Sequence, residues 1–331
     1  MPKREERGTL KPNIFIARSV PPEVEAYLGE HCTYTKWEQE EPIPRDKLLA
    51  SLQEAEGLLI SGGKIDAELL EHAPRLRAVS TISVGYNNFD IKAMKARGVI
   101  GTNTPDVLND TVADLIFGLM LAVARRIPEM DRYVKEGNWK RGDDKTLFGL
   151  DVHSKKLGII GMGSIGEAVA RRAKFGFNMN IAYHNRNRKP DVETALEAEY
   201  LSLQELLQTS DFIVLMTPLT PETKGMIGYE EFKLMKGTAI FINASRGATV
   251  DEQAMVRALQ EDLIFGAGLD VFEHEPVSPD HPLLHMPNVV TLPHIGSATA
   301  QTRLEMAMLA AENLVAALQG NAPSSVVKEL R

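Results

Sequence analysis

LGIIGMGSIGEAVARRA, residues 157–173, joins three local patterns in one piece. Apolar Leu157, Ile159 and Ile160 read as a strand, Gly161, Gly163 and Gly166 follow, and Ile165, Ala168, Val169 and Ala173 recur at helical spacing. A strand that feeds a helix through such a glycine turn is the pattern that holds a dinucleotide. Gly161 lets the chain turn tightly, Gly163 lets backbone approach a pyrophosphate with no Cβ in the way, and Gly166 lets the helix pack close to the strand. The first N–H groups of the helix then face an anion. The strand-like run IAYHN, 181–185, arrives at the distance a βαβ unit requires.

Bulk properties narrow the rest. A chain of 331 residues points to about two domains, because single cores stop growing near roughly 250–300 residues. The formal net charge of −8 argues against nucleic acid or an anionic membrane surface as partner and leaves small molecules. The single cysteine, Cys32, cannot form an internal disulfide and fits a reducing compartment. No apolar run is long enough to span a bilayer, and the charged opening MPKREERGTLKP does not read as a signal peptide, so a cytoplasmic location with frayed first residues is expected. No His, Asp or Glu cluster has metal-ligand spacing, so no metal is expected.

Outward from the glycine turn, strand-like and helix-like runs alternate, which implies parallel sheets covered on both faces. NIFIA (13–17), GLLIS (57–61), RAVSTIS (77–83) and a short run at 99–102 are the strands of the N-terminal part, with helices at 24–28, 45–53, 66–71 and 90–97 between them. RAVSTIS runs into Val84-Gly85-Tyr86-Asn87-Asn88, a small amide-rich loop whose backbone N–H groups can hold a substrate carboxylate. Pro105 to Leu108 reads as a hinge. Asp110 or Thr111 is then expected to cap a long helix that is apolar nearly all round, and hence buried between lobes or subunits. The stretch 127–150, with Trp139 and Gly142-Asp143-Asp144, lacks a core pattern and reads as an arm to a second subunit or as a surface loop.

Past the glycine turn, DFIVLMT (211–217), AIFINA (239–244), AGLDV (267–271) and VVTL (289–292) are four strands whose ends deliver polar or small residues to one sheet edge. His294 follows the last of them, and histidine is the usual proton donor or acceptor near neutrality. Arg246 is a permanent cation able to grip a carboxylate and polarise a carbonyl oxygen, unless it is a plain surface arginine. Glu275 is a candidate carboxylate partner for the histidine, and Asp270 either caps a turn or meets a cofactor amide. Where an NAD-selective site places an acidic residue against the ribose 2′-hydroxyl, this chain has Asn185-Arg186-Asn187-Arg188-Lys189. Three cations and no carboxylate there predict NADPH as the preferred cofactor, with NADH as a possible second. The final amphipathic run, 299–318, comes after the dinucleotide lobe is complete and is expected to return to the first lobe.

STISVGYNNFD (80–90), LGIIGMGSIG (157–166), INASRGATVDE (242–252), GLDVFEHEP (268–276) and LPHIGSAT (292–299) together resemble the D-isomer specific 2-hydroxyacid dehydrogenase family, over nearly the whole chain. Within it the chain looks most like the glyoxylate/hydroxypyruvate reductase branch that also takes 2-ketogluconate. The resemblance implies an α/β fold of two doubly wound parallel-sheet lobes. One is a flavodoxin-like substrate lobe made of 1–107 and 296–331, and the other a Rossmann NAD(P)-binding lobe, 108–295. It implies hydride transfer between a nicotinamide and C2 of a 2-keto acid. Arg246 would bind substrate, His294 would donate the proton, Glu275 would pair with it, and the backbone of Val84 and Gly85 would hold the carboxylate. Thr111, Met162, Ser164, Ile165, Thr217, Pro218, Thr223, Ala244, Ser245, Asp270 and Gly296 would join the glycines, Arg246, His294 and the basic loop around the cofactor. Formate dehydrogenases carry Gln where this chain has Glu275. Many relatives carry a bulkier or basic residue at Ser164, and often a second aromatic near Trp139. A homodimer is expected. A phosphoglycerate-type dehydrogenase and a dinucleotide-sensing corepressor-like protein stay open as alternatives.

Overall fold

The computed structural model describes residues 11–142 and 144–331. Residues 1–10 of the charged opening segment, expected to fray, and Asp143 of the arm lie outside them. The chain divides into two compact units, one of residues 1–107 and 299–331 and the other of residues 108–298.

The first unit is built on a parallel sheet of β1 (Asn13–Ile16), β2 (Thr33–Lys36), β3 (Gly57–Ile60), β4 (Ala78–Thr81) and β5 (Ile100–Thr102), in the order β2-β1-β3-β4-β5. That is the flavodoxin-like order. β3 and β4 are buried at every position, as strands covered on both faces must be. The helix Ala300–Gln319 covers one face. It starts at Thr299, whose Oγ1 accepts the Thr302 N–H at 3.2 Å, and ends at Gly320 with φ 77°. Ser80 Oγ donates to Ala310 O at 2.7 Å, and the Arg77 guanidinium donates to Leu318 O at 2.9 Å, so the helix is bonded to β4 as well as packed on it. Asn313 binds the following turn through the Ser324 N–H at 2.8 Å and Ser325 Oγ at 2.7 Å. Cys32 is buried between the helix Pro22–His31 and β2, and burial pushes its thiol up to about 11.

The second unit carries β6 (Lys156–Ile160), β7 (Asn180–His184), β8 (Glu199–Tyr200), β9 (Phe212–Leu215), β10 (Ile240–Asn243), β11 (Gly266–Leu269) and β12 (Val289–Thr291). The sheet order is β12-β11-β10-β9-β6-β7-β8, all parallel. Counted within the unit, this is the Rossmann order extended by one strand, with its crevice where the order reverses between β6 and β9. Ile159, Ile160, Phe241 and Ile242 are fully buried, each worth roughly 1.5–3 kcal/mol of apolar burial.

One expectation about the long apolar helix changes. It runs Asn109–Ala124 behind Leu108 with no side-chain cap, so Asp110 and Thr111 sit inside its first turn. The Asp110 carboxylate instead meets the Arg172 guanidinium at 2.9 Å, which draws it away from the helix N–H groups. The helix packs on β10, β11, β12 and the helix Ser164–Phe177; Ile116, Phe117, Leu119, Met120 and Val123 are buried, while Leu115 and Leu121 stay half-buried. The stretch behind it contains the helix Ile127–Lys135, which has no buried residue. Among the described residues no helix is long and apolar enough to cross a membrane.

Candidate active site

The glycine turn has the geometry its sequence predicts. Gly161 sits at φ 103°, and a Cβ there would lie 2.7 Å from the Met216 carbonyl at the end of β9. A Cβ on Gly166 would meet Gly161 O at 2.6 Å, so this glycine lets the helix close on the loop, while one on Gly163 would point into open space. The helix Ser164–Phe177 begins there, with Gly163 as its flanking residue. These are the three features a pyrophosphate cradle needs.

A cavity of about 470 Å³ opens beside the turn, bounded by Gly161, Met162 and Gly163, by residues 184–189, and by Thr217, Pro218, Thr220, Glu222 and Thr223. Its size suits a nucleotide-sized ligand. Within it the expected basic cluster is partly neutralised. Arg188 is held by Glu193, with Nε donating to Oε1 at 3.0 Å, and lies over the Tyr200 ring at 5.5 Å. Lys189 Nζ is paired with Glu167. Arg186 is exposed, and Glu222, another residue lining the cavity, feels its charge. Asn185 Oδ1 accepts the Met162 N–H at 2.7 Å, so this amide pins the glycine loop where an acidic residue would bind ribose. Thr223 Oγ1 is likewise engaged, donating to Pro218 O at 2.6 Å, and Thr217 Oγ1 lies 3.6 Å from the Met226 sulfur. Ser164, Ile165 and Asn187 fall on the loop and helix start as expected, and Ala244 and Ser245 directly follow β10.

Because β10, β11 and β12 are parallel neighbours, Arg246, Glu275 and His294 come to the same sheet edge from three successive strand ends. His294 Nδ1 lies 2.7 Å from Glu275 Oε2. Glu275 Oε1 accepts the Phe272 N–H at 3.1 Å. Burial raises the Glu275 carboxyl, but the hydrogen bond with His294, the Phe272 N–H and the charges of His294 and Arg246 outweigh it and hold it below the usual range. Burial pulls the Arg246 guanidinium down and the Glu275 charge opposes it; the group stays a cation at neutral pH. Its Nη1 donates to Ser245 O at 2.7 Å.

His294 has φ 54°, in the left-handed region that histidine tolerates better than most side chains. The adjoining backbone is fixed by Asp270, whose two oxygens accept the Ile295 and Gly296 N–H groups at 2.8 Å each. Asp270 therefore caps this turn. Burial raises its carboxyl, the two N–H groups and the His294 charge counter it, and the net shift is upward. These bonds also keep residues 295–298 in the second unit, so the return to the first unit falls after Ala298 rather than at 296.

The amide-rich loop after β4 belongs to the first unit. Asn103 Nδ2 donates to Val84 O at 2.8 Å and Ser83 Oγ to Gly85 O at 2.6 Å, which ties down both carbonyls. Sequence reasoning missed Glu252 and His281, which lie 3.3 Å apart behind the Glu275 loop. The acidic Glu252 directly after the N-cap Asp251 was the available signal. Among the described residues no group of three or more His, Cys, Asp or Glu side chains is placed to hold a metal ion.

Residues 117–296 match the NAD-binding domain of the D-isomer specific 2-hydroxyacid dehydrogenases. The chain is 50% identical over 318 residues to the glyoxylate/hydroxypyruvate reductase B of Escherichia fergusonii, covering 96% of this chain and 98% of that one. A solved Thermus thermophilus protein superposes with a TM-score of 0.88 at 41% identity, covering 95% of this chain and 99% of the other. The NADPH-dependent glyoxylate/hydroxypyruvate reductase of Sinorhizobium meliloti, solved with NADP and malonate, superposes with a TM-score of 0.85 at 34% identity, covering 97% and 98%. With a glycine-turn crevice and a sheet edge carrying arginine, glutamate and histidine, the chain belongs to the D-isomer specific 2-hydroxyacid dehydrogenase family of NAD(P)-dependent oxidoreductases.

Proposed function

We propose that this enzyme reduces small 2-keto acids to D-2-hydroxy acids, using NADPH in preference to NADH, with glyoxylate and hydroxypyruvate as substrates and 2-ketogluconate as a further one. The observation that carries this reading is the His294–Glu275 pair at 2.7 Å on the sheet edge that also bears Arg246. The nicotinamide supplies the hydride when bound. Arg246 grips the substrate carboxylate and keto oxygen and stabilises the negative charge that develops on that oxygen. His294 gives the keto oxygen its proton from the ring nitrogen that Glu275 does not hold. The N–H groups of Val84 and Gly85, on a loop whose carbonyls are tied down, hold the carboxylate. Exposed Arg186 beside the nucleotide cavity supports a 2′-phosphate, and the S. meliloti relative is itself NADPH-dependent.

The test is an absorbance assay of glyoxylate, hydroxypyruvate and 2-ketogluconate with each cofactor. Faster turnover with NADPH is expected. No oxidation of either cofactor with any of the three acids would sink the reading, and equal or better turnover with NADH would sink the cofactor preference.

We also propose that the chain pairs with a second copy of itself. Ile127, Val134, Trp139 and Phe148 are between 51% and 70% exposed within one short stretch, an unusual concentration of apolar surface. Light scattering at micromolar concentration should give twice the chain mass, and Trp139→Glu with Val134→Glu should give the single mass. A monomeric native chain would overturn this.

A further inference from the structure

Behind the Glu275 loop, one peptide group is held on two sides, by Gly247 and by Glu252. A Cβ built on Gly247 would fall 1.8 Å from the Phe272 carbonyl carbon and 2.2 Å from the Glu273 nitrogen, so the segment after Arg246 lies flat against the Phe272–Glu273 peptide. The N–H of that same peptide, on Glu273, donates to Glu252 Oε1 at 2.6 Å. The other oxygen of Glu252 lies 3.3 Å from His281 Nε2, and the His281 ring meets Phe272 edge-on at 6.4 Å between centroids. The Glu252 side chain is only 11% exposed, an expensive place for a carboxylate that does no more than decorate a helix start.

Gly247 and Glu252 belong to the segment that leaves β10 with Arg246. Phe272 and Glu273 belong to the segment that leaves β11 and carries Glu275, and the Phe272 N–H is itself bonded to Glu275. We propose that Glu252 is a positioning residue for the Glu275–His294 pair, its carboxylate fixing the Phe272–Glu273 peptide against Gly247 and so setting Glu275 in register with Arg246. The inference rests on the reaction proposed above. Reach is what this role requires. An acceptor oxygen must arrive at the Glu273 N–H, whether or not its group is charged. The titratable and charged groups around the assembly are His281 against Glu252, and His294, Arg246 and Asp270 around Glu275.

Two conservative variants separate reach from charge. Glu252→Gln keeps an oxygen at the right distance and removes the charge that faces His281. Glu252→Asp keeps the charge and draws the oxygens back by one methylene. Both are to be assayed with wild type for glyoxylate reduction across a pH series, for NADPH binding by fluorescence and for thermal unfolding. The Gln variant should stay within about twofold of wild type, since the hydrogen bond survives. The Asp variant should lose roughly tenfold or more in kcat, because a small misplacement of acting groups is costly. Its NADPH affinity should hold. Its acid limb in kcat/KM should move to higher pH, because a displaced Glu275 loses the His294 and Phe272 N–H contacts that hold its carboxyl below the usual range.

Wild-type kcat and pH profile in the Asp variant would overturn the inference, as would a Gln variant as impaired as the Asp one. A fall in melting temperature with an unmoved pH profile would also overturn it, assigning Glu252 a structural role alone. A wild-type chain inactive towards every 2-keto acid would overturn the proposed reaction and this inference with it. An active wild type with an unaffected Asp variant would overturn the inference alone.

Discussion

Glu275 holds His294 by the ring nitrogen Nδ1, at 2.7 Å, and so leaves Nε2 as the nitrogen that can reach a substrate oxygen. His294→Ala should therefore lower kcat for 2-keto acid reduction by about 10²- to 10⁴-fold, the usual worth of a positioned proton donor. NADPH affinity should change far less. Stopped-flow turnover with a parallel fluorescence titration checks both; intact turnover of every 2-keto acid would refute the role.

The pH dependence follows from the direction of the Glu275 shift. Its carboxyl lies below the ordinary 4.5, so the carboxylate persists as pH falls past that value. A depressed acid stabilises the folded state above its unfolded value and loses that contribution as pH falls through its folded value. The acid limb of kcat/KM is accordingly expected below pH 4.5, and unfolding measurements over the same range should lose stability there rather than earlier. An acid limb above 4.5 that disappears in Glu275→Gln would contradict the assignment.

Cofactor preference should divide unequally between the two arginines of the basic loop. Arg188 is committed to Glu193, whereas Arg186 is exposed beside the cavity. Arg186→Ala should raise the KM for NADPH about tenfold, as loss of a charged hydrogen bond does, and leave that for NADH nearly unchanged. Arg188→Ala should have the smaller effect. Equal effects of Arg186→Ala on the two cofactors would count against a 2′-phosphate at this position.

The glycines of the turn differ in what they forbid. Gly161→Ala combines φ 103° with a 2.7 Å clash against the Met216 carbonyl, and should cost about 1–3 kcal/mol of stability together with cofactor binding. Gly163→Ala meets nothing within 4 Å and should leave the melting temperature alone while weakening NADPH binding. Thermal scans with and without NADPH distinguish the two patterns.

Much of the architecture was legible because strand ends and glycine turns are local signals. Gly161, Gly163 and Gly166 announce the turn by their spacing, and Arg246, Glu275 and His294 each follow an apolar run. What escaped depended on partners remote in sequence. Asp110 looks like a cap until Arg172 claims it, and Lys189 looks available until Glu167 is seen beside it. Glu252 follows the N-cap Asp251 as an ordinary first-turn carboxylate in the sequence, and its contacts with Glu273 and His281 exist only once two strand ends have been brought together. β2, with exposed and half-buried residues alternating at the sheet edge, is a weaker hydrophobic signal than the buried strands beside it.

The helix Ala300–Gln319 lies against β3, β4 and β5, although more than two hundred residues separate Ser80 from its partner Ala310. While the ribosome is still translating, residues 108–298 can assemble as soon as they emerge, but the sheet made earlier must wait with one apolar face bare. A released chain ending at Ala298 should accordingly be cut by protease in its first hundred residues and resist in the stretch that follows, which makes the early sheet the part of this enzyme most in need of a chaperone.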